Sequence, residues 1–196
     1  MTPPSHTFQL HTDLLAMVGV WRDHLTAYDL TGEAVEDDPY GGVPGPFPFD
    51  NLVYVDFDPS SGRYLQTNVS IEGRDLSVRT FEADVAEGTL RFGRLGPDAP
   101  HHVGVSGGPG LIWFVSERID EPGLARYCEP DLIRLEGDSR WRTTVLWRDA
   151  VLVRPLLVTG TRVSRDTGTI HPLDPRGPGS AVHGDRSVTR QYQEQP

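Results

Sequence analysis

Gly19-Val20-Trp21-Arg22, which follows a short apolar run, and Thr159-Gly160-Thr161-Arg162-Val163, which ends the last alternating stretch, are the two segments that decide the fold. Between them the chain offers almost nothing but alternating stretches and turn residues. A tryptophan that opens the first strand and an arginine in the last one meet only if the sheet curls and closes. The pairing therefore predicts a closed barrel, with room for an interior cavity.

Upstream of this segment, residues 1–11 read as a flexible lead. Thr12-Asp13 is placed to N-cap a short helix, Leu14-Leu15-Ala16-Met17-Val18, which Gly19 ends. Downstream the period becomes two: Trp21, Leu25 and Ala27 alternate with Arg22, His24, Thr26 and Tyr28. The stretch from Glu36 to Asn51 (EDDPYGGVPGPFPFDN) is too rich in proline and glycine for a regular element, and its aromatics Tyr40, Phe47 and Phe49 argue that it docks. Strands then follow in a meander: Val53–Phe57, Tyr64–Ile71, Leu76–Ala83 and Thr89–Leu95, then a Gly/Pro-rich loop through Gly110, then Leu111–Ile119, Leu124–Leu135 broken at Pro130, Arg140–Arg148 and Val151–Val163. With the first strand this makes about nine, joined by hairpin-type turns. The expectation is all-β: an antiparallel up-and-down barrel over residues 12–165 with a short N-terminal helix, followed by a Gly/Pro-rich tail at 166–196.

Composition excludes several chemistries. The chain has 196 residues, a formal charge of −10 and 18 basic residues, every one an arginine. Without lysine there is no Schiff base and no P-loop lysine. The acidic balance argues against a nucleic-acid surface. Cys128 is the single cysteine, so no internal disulfide or cysteine-rich zinc site forms, and a buried structural thiol is expected there. No signal peptide and no apolar run of membrane-spanning length is evident, so a cytoplasmic setting without membrane contact is expected.

The segments Gly19-Val20-Trp21 and Arg162 resemble the G-x-W signature and the closing arginine of the calycin superfamily, which includes lipocalins and lipocalin-like bacterial proteins of unknown function. The resemblance covers roughly residues 12–165. It implies that Trp21 and Arg162 pack together where the barrel closes, and that the barrel holds a hydrophobic small molecule. Asp23 stands where the haem-binding members carry a second glycine, so haem is not implied.

Alternation selects the more apolar face of each strand as the inner one. On that basis Leu76, Val78, Thr80 and Glu82 share an inner face; Leu111, Trp113, Val115 and Glu117 also share one face, which Ile112 and Phe114 on the opposite side leave open as inner or outer. Glu82 and Glu117 then become carboxylates in apolar walls, raised in pKa and suited to acid–base work; the alternative sets them in water or paired with arginine. Asp23 is expected to pair with an arginine near the closure. Tyr54, Tyr64, Trp113, Tyr127, Trp147, Phe47 and Phe49 are the aromatic candidates for a ligand wall, or else core residues. His101-His102 lies in the Gly/Pro-rich loop, where an exposed role is expected over a catalytic one. Gly104-Val105-Ser106-Gly107-Gly108 spells a nucleophile-elbow string without the strand-turn-helix setting it needs.

Two functions follow. The first is a cofactor-independent cyclase or isomerase acting on a hydrophobic natural-product-type molecule, with no metal. The second is a non-catalytic carrier of a small apolar ligand or chromophore. Composition leaves the oligomeric state open, including a homodimer.

Overall fold

The computed structural model describes residues 6–36, 47–70, 78–92, 102–116, 127–128, 130–148 and 151–167. One helix, α1 (His6–Met17), precedes twelve strands: β1 (Gly19–Tyr28), β2 (Ala34–Val35), β3 (Phe49–Asp58), β4 (Arg63–Ser70), β5 (Val78–Ala86), β6 (Thr89–Phe92), β7 (His102–Gly108), β8 (Leu111–Ser116), β9 (Tyr127–Cys128), β10 (Asp131–Glu136), β11 (Ser139–Arg148) and β12 (Val151–Ser164). The sheet order is β10-β8-β7-β6-β5-β4-β3-β1-β12-β11, and β10 also pairs with β11, so ten strands close into an antiparallel up-and-down barrel. The short β2 and β9 attach to β1 and β11. Full closure leaves no long unpaired edge.

The tenth strand is β7, which lies in the stretch read as a Gly/Pro-rich loop. Two of its three glycines, Gly104 and Gly107, are there for close packing. A Cβ on Gly104 would stand 2.9 Å from the Phe114 ring, so only glycine lets that ring fold over the strand. The strand β3 also starts earlier than expected, at Phe49, and β9 and β10 are two pieces of one broken strand with Pro130 between them.

α1 is longer than the sequence signals suggest and begins at His6, within the segment read as a flexible lead. Asp13 is therefore not an N-cap. It lies buried inside the helix and accepts hydrogen bonds from Gln9 Nε2 (2.8 Å) and from the Gly110 amide (2.9 Å) in the β7–β8 turn. A twelve-residue helix is marginal by itself. Burial of Leu10, Leu14 and Met17 against the barrel holds this one, at about 1.5–3 kcal/mol per side chain.

The helix C-terminus is capped by the barrel seam. Trp21 Nε1 donates to the Met17 carbonyl at 2.8 Å, and Arg162 donates to the Ala16 carbonyl at 2.5 Å and to the Val18 carbonyl. The last turn of α1 carries no basic residue, so Arg162 supplies the cation that its dipole favours. Arg162 also lies over the Trp21 ring, 4.2 Å from its centroid. Gly19 sits at φ 135°, and a Cβ there would meet the Ser164 carbonyl oxygen at 2.4 Å. The Gly-x-Trp spacing is thus a steric requirement of the seam.

The main core gathers Leu10, Leu14, Met17, Trp21, Val53, Val55, Phe57, Tyr64, Ala83, Leu90, Ile112, Phe114 and Ile133 at the helix-covered end. A second apolar cluster of Leu25, Ala27, Phe47, Phe49, Leu156 and Val158 lies further along β1, β3 and β12.

Candidate functional site

A polar belt separates the two apolar clusters. On β1, Asp23 falls between Trp21 of the main core and Leu25 of the second cluster; on β3, Asn51 falls between Val53 and Phe49. Asp23 and Asn51 are register partners on adjacent strands. The inward faces of β4, β10 and β11 contribute Gln66, Asn68, Asp131, Arg140, Arg142 and Thr144, each sharing strand parity with a main-core residue or pairing with one that does.

Two ion pairs organise this belt. Arg140 donates to both carboxylate oxygens of Asp23, from Nε at 2.9 Å and from Nη2 at 2.5 Å, and both side chains are buried. The bidentate geometry lets a buried pair persist. Arg142 donates to a single oxygen of Asp131, from Nε at 2.9 Å and from Nη2 at 2.6 Å. The other oxygen, Asp131 Oδ1, is buried and has no hydrogen-bond partner among the described residues. The same holds for Asn51 Oδ1 and Thr144 Oγ1, with Asn51 9% and Thr144 1% exposed. Asp131 and Thr144 are direct register partners.

On β4 a chain of hydrogen bonds runs along the inner face. The Tyr64 hydroxyl donates to Gln66 Oε1 and Gln66 Nε2 donates to Asn68 Oδ1, each at 2.9 Å. Burial pushes the Tyr64 hydroxyl far above its ordinary pKa, so it remains a donor. All donors point one way, which leaves the Asn68 amide nitrogen as the donor end of the chain. His102 at the start of β7 shares parity with Gly104, whose position abuts Phe114 and Leu90 of the core. Burial lowers its pKa; the Asp131 carboxylate opposes that and the Arg142 guanidinium adds to it.

The second cluster lies beyond the belt. The Phe47 and Phe49 rings lie 5.1 Å apart, and the buried Arg154 guanidinium sits 5.8 Å from the Phe47 ring.

The residues expected from sequence divide clearly. Trp21, Asp23 and Arg162 come together at the seam, and Asp23 has its arginine partner. Tyr64, Phe47 and Phe49 face inward. Glu82 does not: it lies on the outer face, 67% exposed, with Arg63 3.6 Å away. The inward residue beside it is Ala83, opposite Tyr64. Trp113 also faces out, 46% exposed, while its neighbours Ile112 and Phe114 fill the core. Tyr54 is buried on the outer side with Val20 and Val69, and burial raises its hydroxyl pKa. The face containing Thr80 and Glu82 and that containing Trp113 and Val115 are therefore outer faces, the reverse of the expectation for Glu82. Glu117 lies outside the described residues, as do the side chains of Tyr127, Cys128 and Trp147. Among the described residues, no group of His, Cys, Asp and Glu is placed to hold a metal ion, and no helix is long and apolar enough to cross a membrane.

The residues missed by sequence reasoning are Asn51, Gln66, Asn68, Asp131, Arg140, Arg142 and Thr144, while His102, expected to be exposed in a loop, is a partly buried residue of β7. One signal was available. Parity from Tyr64 reaches Gln66 and Asn68, and parity from the Arg140 that pairs with Asp23 reaches Arg142 and Thr144.

No protein-family model matches the chain, and a search of curated protein sequences returns no match. Solved structures do match. A protein of unknown function from the DUF3598 family of Nostoc punctiforme PCC 73102 superposes with a TM-score of 0.56 at 18% identity, over 76% of this chain. This chain spans about half of that one, 49% of its length. An S-type phycobiliprotein lyase from Guillardia theta superposes with a TM-score of 0.55 at 9% identity, covering 82% of this chain and 98% of its own. At these identities the likeness is one of fold: the barrel is the architecture this chain shares with both.

Proposed function

We propose that the protein is a small-molecule-binding barrel whose ligand lies against the polar belt, with its apolar part on the Phe47/Phe49 wall. One observation carries this reading: Asn51, Asp131 and Thr144 each present a buried polar atom that has no hydrogen-bond partner among the described residues. Each such atom costs roughly 1–3 kcal/mol when left unmatched. A barrel that only has to stand would fill these positions with apolar side chains; a barrel that receives a polar molecule needs them. The mixed lining calls for a ligand with an apolar frame and polar groups. The likeness to a phycobiliprotein lyase makes a chromophore-like molecule the first class to test. The ligand is carried, without an added cofactor or metal, in a cytoplasmic setting.

Native mass spectrometry of freshly purified protein tests this. The expected result is a retained, unmodified small molecule released on denaturation. A barrel that is empty from every expression host, and that takes up nothing from a cell extract, contradicts it.

A cyclase or isomerase reading requires an acid or base that faces the ligand. Glu82 faces solvent, so among the described residues we assign the role to His102, which is inward and whose pKa burial lowers, with Glu117 the other candidate. Conversion of an extract component by wild type and not by a folded His102→Gln variant would favour that reading over the carrier.

A further inference from the structure

The Asp131–Arg142 pair is unevenly used. Arg142 Nε and Nη2 both converge on Oδ2, and Oδ1 is left buried and unmatched among the described residues. The Thr144 hydroxyl, on the register partner of Asp131, is also buried and unmatched. A carboxylate oxygen is an acceptor only. What is missing at this point is therefore a donor. Arg142 already balances the Asp131 charge, so a full cation on the ligand is not called for and would face the guanidinium; a neutral N–H or O–H suits the site.

We infer that Asp131 Oδ1, with the Thr144 hydroxyl beside it, receives a neutral N–H or O–H donor of the ligand, so that the barrel selects molecules with such a group over otherwise identical molecules without it. This rests on reading the interior as the binding region, and it adds the polarity of the group bound there. Arg142 acts as a positioning residue: it holds Oδ2 and thereby turns Oδ1 toward the ligand. The end of the β4 chain at Asn68 offers a donor to the same molecule, so the interior presents both polarities to a ligand that carries both.

The test uses a matched pair of fluorescent probes, 2-phenylindole and 1-methyl-2-phenylindole, which share an aromatic frame and differ in one N–H. Titration of the full chain should give tighter binding of the N–H probe by about tenfold or more, the size expected for a hydrogen bond to a charged acceptor. Asp131→Asn should abolish the preference: Arg142 retains the amide oxygen, so the amide nitrogen replaces Oδ1 and presents a donor to a donor. Thr144→Val should reduce the preference and leave the fold intact, since it removes a hydroxyl without a partner; it serves if Asp131→Asn does not fold, as judged by circular dichroism. Equal binding of the two probes by wild type, or an undiminished preference in a folded variant, overturns this inference and leaves the binding reading standing. Failure of both probes to bind, together with an empty protein in native mass spectrometry, overturns both.

Discussion

Arg140 on β11 reaches across β12 to Asp23 on β1, 117 residues away in the chain, and the strand between them carries Gly160 at the point of crossing. A Cβ on Gly160 would stand 2.3 Å from Asp23 Oδ1 and 2.7 Å from Arg140 Cγ. The ion pair thus occupies the space that a side chain on the middle strand would fill. It fastens three strands at the seam, directly above Trp21, whose ring centroid lies 4.7 Å from the Arg140 guanidinium.

Breaking this pair from one side leaves a buried charge uncompensated. Asp23→Ala is expected to cost about 3–5 kcal/mol in urea unfolding. Replacing both partners with apolar residues of similar size should cost much less. Gly160→Ala should destabilise on its own, because the new methyl group must displace the carboxylate. If Asp23→Ala unfolds at the wild-type midpoint, the pair does not fasten the seam.

Trp21 and Arg162 serve stability. Trp21→Ala removes a fully buried ring and the donor to the Met17 carbonyl, and should cost about 3–5 kcal/mol. Arg162→Met keeps much of the bulk and removes the caps on Ala16 and Val18, so it should loosen α1 first. Hydrogen exchange checks this: α1 amides should lose protection in Arg162→Met before those of β3 and β4. Uniform loss across the barrel would contradict a capping role.

Gly104 is required by the Phe114 ring. Gly104→Ala should destabilise by about 1–3 kcal/mol, the range for an overpacked site. The double variant Gly104→Ala/Phe114→Leu should recover part of that, read as a non-additive unfolding midpoint. Full additivity would mean that the two positions do not compete for space.

Two interior groups titrate abnormally. Burial lowers the pKa of His102 from 6.5, so the folded chain binds fewer protons than the unfolded one below that pH. Its contribution to stability is complete above pH 6.5 and is lost as the pH falls from there through the folded value. His102→Gln should remove that acid-side loss. Burial raises Tyr64 above 10.0, so on the alkaline side stability falls as the pH rises beyond 10.0. Imidazole NMR titration and the ultraviolet absorbance of tyrosinate follow the two groups. A His102 that titrates at 6.5 or higher would place it in water.

The barrel, its seam and its closing residues were legible because turn chemistry, the period of two and the Gly19-Val20-Trp21 spacing all pointed the same way. The orientation of the middle strands was not, because the more apolar face is the inner one only when the interior is apolar. Here Gln66 and Asn68 face inward. β8 is apolar on both faces, with Ile112 and Phe114 inside and Trp113 and Val115 outside, so its alternation carries no direction. Glu82 was drawn inward with Val78 and Thr80 by the same rule, although Ala83 and Phe81 are the residues opposite Tyr64 and Gln66. The strand His102–Gly108 was hidden because its glycines read as a loop until the Phe114 ring that Gly104 accommodates is known.

The central claim is that ligand binds inside, on the polar belt. Chemical-shift mapping of isotope-labelled protein titrated with 2-phenylindole tests it most directly. The account predicts saturable shifts at Asn51, Gln66, Asn68, Thr144 and the Phe47/Phe49 wall, with Glu82 and Thr80 unmoved. Shifts confined to the outer face around Trp113 and Val115, with the interior side chains silent, would contradict it.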